Sequence, residues 1–393
     1  MMRRNLDHQY NPLFFLAALG AGGLAASFFM YPMFMLPHPD TPMVTFNHIW
    51  PVLTGGPIPA RVLLALDLIA ILFFAFLHFR LLAWNIREYR RFRRTEAFEK
   101  LKQSNTEVSL MAIPLTLAMT INVFFVLGAT FVPNLWSVVE YMFPGAIAGF
   151  LAVGIYALRI LVHYFARLMV NGDFDFGANN NLSQMVAIFA LAMIAVGLAA
   201  PGAMSHHVEV NAVGIALSIF FASIAILLAL IKLVLGFQSI FQHGISEAAS
   251  PSLWITIPVL TLLGITFIRL TFGLHHGFET EMSTPGLFVL TASILSLEIL
   301  FGLIGYAVMK RLGYFRDYVH GDKGNAGTYA LICPGVAFFV FGVFFLTFGL
   351  VKNGLVAPLS PTYLAFLAPF VASQFITVRT LFRLNRNILR AAP

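Results

Sequence analysis

Charge is scarce in this chain. Asp, Glu, Lys and Arg together make up 10% of its 393 residues, against about 25% in a typical soluble domain. So few charges cannot cover a water-exposed surface, which excludes a cytosolic enzyme, a secreted disulfide scaffold and a disordered protein. Cysteine is scarcer still. Cys333 stands alone, so neither an internal disulfide nor a cysteine-based metal cluster can form. No GxxxxGK[ST] phosphate loop occurs, so ATP-driven pumping by this chain alone is not expected. No soluble catalytic domain is evident, and enzymatic activity is not expected either.

Apolar residues fill the space that charge leaves, at 59% of the chain. They gather in runs of about 20 residues, long enough to cross a hydrocarbon core and far longer than a barrel strand needs. The runs fall near 12–36, 60–83, 109–131, 143–168, 182–200, 210–235, 252–273, 286–309, 327–351 and 362–383. The first is too long for a cleavable signal and reads as a retained span. The sequence predicts an all-α polytopic membrane protein: one transmembrane domain over residues 1–393 with ten helices. A basic linker covers 84–108 and a proline-rich outer loop covers 37–59.

Basic residues set the direction. With the N-terminus inside, 21 of the 24 Lys and Arg fall on the inner side. Both termini are therefore expected in the cytoplasm, with the chain in a bacterial inner membrane. The net charge of +7 is then a matter of topology, and nucleic acid is not an expected partner. Membrane lipids are, because the arginines between Arg87 and Arg94 would attract anionic headgroups.

Ten spans with cytoplasmic loops after each even one make five hairpins of the same orientation, able to close into a ring. Spans 3, 7 and 9 open alike, with Pro114, Pro258 and Pro334 about two turns in. Proline kinks a helix, and the carbonyl it frees is tolerated in a membrane when it is buried or faces a cavity. The odd spans are therefore expected inside, kinked around a central axis, and the even spans outside. From Pro114 to Arg159 and from Pro334 to Arg379 are both 45 residues, which supports a repeat. Span 5 lacks the proline.

The segments Ser109–Thr116, Ser252–Thr261 and Tyr329–Pro334 resemble the tellurite-resistance/C4-dicarboxylate transporter family, which includes the plant guard-cell slow anion channels. The resemblance implies ten helices in a quasi-fivefold ring, a narrow axial pore for small anions and a homotrimer of independent pores. It also implies a plug at the span 9 kink. The family's plugging phenylalanine falls on Cys333, with Pro334 after it, so the constriction is occupied by a much smaller side chain. Cys333 could be an oxidisable pore thiol or a small buried hydrophobe. Phe338 and Phe341, one to two turns on, are the substitute plug candidates, since a hydrophobic constriction can gate by dewetting.

Other polar residues stand out against the apolar runs. Thr116, Asn122, Thr256 and Thr261 on odd spans could donate to an anion, although membrane threonines often bond their own backbone. Asp67 and Glu298 lie inside even spans, where an acid either bonds a polar neighbour or couples a proton. Arg269 and Lys352, near odd-span ends, would either attract anions to an outer vestibule or sit at headgroup level. No metal site is expected. His78 and His163 offer a different class of function, a haem-b redox protein, in which each would supply an axial nitrogen.

Overall fold

A computed structural model describes residues 2–172 and 181–390. Ten of its helices are long and apolar enough to cross a membrane: Pro12–Met35, Ile58–Phe92, Asn105–Phe131, Leu135–Asn171, Met185–Met204, Val208–His243, Ser250–Phe278, Thr284–Arg311, Ala326–Val351 and Pro361–Leu389. They are numbered here as spans 1 to 10. Among the described residues the only β-type pairing is a bridge between Met2 and Arg390. It sets both termini together at one end, as an even number of crossings requires.

Burial separates the spans into two sets. In their most apolar windows the odd spans are 61–94% buried and the even spans 22–39%. A helix that is apolar all round belongs in an interior, and span 5 is the extreme case: nearly all of its residues are covered. Span 1 packs against spans 2, 3 and 9. Span 3 packs against 4 and 5, span 5 against 6 and 7, span 7 against 8 and 9, and span 9 against 10. Each odd span thus touches the even span that follows it and two other odd spans, with the last returning to the first.

Close approach of the inner helices depends on missing side chains. At Gly20 a Cβ would stand 2.6 Å from Ile332 Cγ2, where spans 1 and 9 meet. At Gly197 a Cβ would overlap the ring of Phe150, which span 4 presses onto span 5. Gly197→Ala is expected to lower unfolding stability by about 1–3 kcal/mol, the usual cost of overpacking a filled interior. Denaturant unfolding of the purified protein measures it.

The repeated prolines stand where these spans change their helical geometry. Span 3 begins as a 3₁₀ turn over Asn105–Met111 and becomes α-helical at Ala112. Span 7 changes in the same way after Ile255, and span 9 after Leu331. Pro114, Pro258 and Pro334 are each the third residue of the α-helical part. Each proline thus lies in the first α-helical turn directly after a 3₁₀ turn, where its missing N–H removes one backbone bond at the change of geometry.

The stretch read as a basic linker, 84–108, is mostly helical. Span 2 continues to Phe92, and a short helix covers Glu96–Lys102. The extension is polar because it receives the N-terminal segment. Glu88 Oε2 accepts the Leu6 N–H at 2.9 Å, Asn85 Oδ1 accepts the Tyr10 hydroxyl at 2.8 Å, and the Trp84 indole donates to the Arg3 carbonyl at 2.7 Å. Arg91 pairs with Asp7, and that guanidinium holds the Asp7 carboxyl below its ordinary range. The proline-rich loop 37–59 likewise contains a helix, Phe46–Gly55, capped by Thr45 and His48.

Candidate functional site: an axial cavity

A cavity of about 670 Å³ runs between the odd spans, and every one of the five contributes to its wall. It extends to His38, Pro39 and Thr41 in the loop after span 1, at the end away from the termini. Toward the termini it stops at Leu19, Met119, Phe189, Pro258 and Cys333, the first wall residue of each odd span. Just before these, Phe15, Leu115, Met185, Ile255 and Tyr329 are buried and lie off the wall. The cavity is therefore open at one end and closed at the other.

The wall is mostly aliphatic, aromatic and thioether. Its polar exceptions are few: Asn122, Thr261, Arg269, Thr284, Thr347 and Lys352, with His38, Thr41 and His276 toward the mouth. Among the described residues no carboxylate lines it. Lys352 is exposed at the mouth, whereas Arg269 is partly covered deeper in. Arg269 Nη1 donates to the Val196 carbonyl on span 5 at 2.7 Å. Among the described residues no carboxylate lies within ion-pair distance of its guanidinium. Asn122 Nδ2 approaches Met193 Sδ, also on span 5, at 3.5 Å. Met193 and Val196 are three residues apart, about 4.5 Å of helical rise and about 60° of rotation, so the amide and the guanidinium contact one face of span 5 nearly a turn apart.

The candidate residues divide by their place. Cys333, Pro258, Asn122, Thr261, Arg269 and Lys352 are on the wall. Pro114, Pro334, Thr116 and Thr256 are buried elsewhere. Thr116 donates to the Phe15 and Ala112 carbonyls, and the Thr256 hydroxyl has no partner among the described residues. Phe338 and Phe341 are off the wall: the Phe338 ring meets that of Phe370 on span 10 in a tilted contact, and Phe341 is fully buried against Gly264. The reason is angular. Cys333, Val336, Val340, Phe344 and Thr347 share the cavity face, and at about 100° per residue Phe338 and Phe341 fall roughly 140° and 80° away from Cys333. Phe344 and Phe348 are the span 9 rings that reach the cavity.

The two intramembrane acids differ. Asp67 is buried off the wall, and neither of its carboxylate oxygens has a partner among the described residues. Glu298 is also off the wall and fully buried, but its Oε1 accepts the hydroxyl of cavity-lining Thr261 at 2.5 Å. Its Oε2 is buried without a partner among the described residues. The histidines do not fit an axial pair. His78 uses both ring nitrogens, at 2.8 Å to the Ala18 carbonyl and 2.9 Å to Thr120 Oγ1, leaving neither for an iron. His163 is exposed and meets Glu107, which also pairs with Arg167.

A second, smaller cavity of about 320 Å³ lies on the extension of span 2 and is lined by Arg87, Arg90, Arg91 and Arg94. These recur on one helical face and offer a basic surface beside the membrane-spanning region.

Comparisons with protein-family models, with curated proteins and with solved structures find no match to this chain. Sequence and geometry therefore carry the functional reading.

Proposed function

We propose that this multi-pass membrane protein is a channel or transporter for small anions, with the axial cavity as their path. One observation carries the reading. The cavity touches all five odd spans and bears Arg269 and Lys352, with no carboxylate among its described lining residues. A cation in a low-dielectric enclosure attracts an anion far more strongly than it would in water, and excludes cations by the same field. Because the cavity ends at Cys333 and its neighbours, movement requires the buried layer below them to open. This is the expected form of a gated channel or an alternating-access carrier.

The order of contacts supports a quasi-fivefold ring of five parallel hairpins with the odd spans inside. The resemblance to the tellurite-resistance/C4-dicarboxylate transporter family implies the same arrangement, and we read the chain as a divergent member with Cys333 at the plug position. The basic residues favour cytoplasmic termini in a bacterial inner membrane, and the arginine-lined surface on span 2 suits anionic lipid headgroups. If a proton moves with the anion, Glu298 is its carrier in preference to Asp67, because Glu298 meets the cavity wall through Thr261. Reconstituted vesicles test the proposal. An imposed inside-positive potential is expected to drive labelled-anion uptake well above that of empty vesicles. Uptake equal to empty vesicles, with the protein incorporated and folded, refutes it.

A further inference from the structure

The wall around Arg269 says more about the anion than its sign. The guanidinium spends one N–H on the Val196 carbonyl and has further donors in a planar fork, which suits the two oxygens of a carboxylate or related oxyanion. The Asn122 amide meets the same face of span 5 about one turn away, at Met193. The surroundings are otherwise apolar: Met193, Val196, Ile265 and Phe272 are all on the wall. A small inorganic anion entering here would give up its water for one fork and one amide. Selective sites for bare ions instead replace the hydration shell from many sides. Pockets that bind organic molecules have the opposite make-up, with an apolar lining and a few convergent polar groups in a volume of about 300–1,000 Å³. This cavity has that composition and that size. The wall offers one cation at depth, since Lys352 is exposed at the mouth, so a second carboxylate on the ligand would face methionine and phenylalanine.

We infer that the ligand of the cavity is an amphiphilic organic monoanion. Its carboxylate, or a similar oxyanion head, sits on Arg269, and its apolar body lies against the methionine and aromatic wall. The inference rests on the reading of the cavity as an anion path and deepens it to a substrate class.

Calorimetric titration of the wild-type protein in lipid nanodiscs tests this, with empty nanodiscs as the blank. The ligands are acetate, butyrate, hexanoate, succinate, chloride, nitrate, hexanol and hexylammonium. The expected result is tightening of about threefold to fourfold per methylene from acetate to hexanoate, the worth of a buried CH₂. Succinate should bind more weakly than butyrate, and hexanol and hexylammonium at least tenfold more weakly than hexanoate. Arg269→Lys, which keeps the charge and loses the fork, should weaken hexanoate about tenfold without removing the chain-length trend. Chloride or nitrate binding as tightly as hexanoate overturns the substrate class and leaves the anion path standing. Equal binding of hexanol, hexylammonium and hexanoate also overturns it, since lipid-like partition then explains the trend. Binding by none of the anions overturns both readings.

Discussion

Arg269→Gln is expected to reduce anion affinity and transport about 100-fold while leaving the fold as stable as before or more stable. The two expectations have opposite physical origins. An anion held in the guanidinium fork gains two charge-assisted hydrogen bonds, each worth about 1.5–3 kcal/mol, and losing them costs two or more factors of ten. In the empty cavity the same guanidinium has a single carbonyl partner at Val196 and no carboxylate within reach among the described residues. A cation so poorly compensated burdens folding, and its removal relieves that burden. Transport in vesicles and denaturant unfolding, measured on one preparation, separate the two effects. A variant that unfolds easily and transports normally per folded molecule would make Arg269 a structural residue.

Methylthiolation of Cys333 is expected to block transport, with wild-type flux falling at least tenfold after exposure to a small uncharged thiol reagent. Cys333→Ala should keep its flux and ignore the reagent. The thiol is 7% exposed, and it lies on the wall at the closed end of the cavity, so a reagent reaches it along the path proposed for the anion. An added methylthio group takes up part of the cavity at that end. Cys333 is the one cysteine in the chain, so mass spectrometry of the intact protein reads the modification directly. Labelling that appears only after denaturation would contradict the place assigned to Cys333. Labelling of the native protein without loss of flux would remove Cys333 from the path.

The ten spans were legible because membrane-length apolar runs are a strong signal. The inner and outer sets were legible through the prolines of spans 3, 7 and 9. Hydropathy missed the polar continuation of span 2, since Asn85 and Glu88 are buried by hydrogen bonds to the N-terminal segment rather than by apolar contact. The cavity face of span 5 was illegible for the opposite reason: a helix covered on every side has no amphipathic period to read, so Phe189, Met193 and Val196 gave no sign of facing a cavity. The aromatic wall residues were within reach of the sequence. Counting in steps of 3.6 from Cys333 leads to Phe344 rather than to Phe338 or Phe341. Arg269 was noticed as a charge near a span end, but its pairing with a span 5 carbonyl depends on a packing that periodicity does not encode.

The central claim is that the cavity passes anions because its charged wall residues are cations. Its most direct test is uptake of a size-matched pair, labelled benzoate and labelled benzylammonium, into vesicles carrying the wild-type protein, under equal gradients and corrected for empty vesicles. Benzoate uptake is expected to be at least tenfold faster than benzylammonium uptake. Equal rates, or faster entry of the cation, would contradict it.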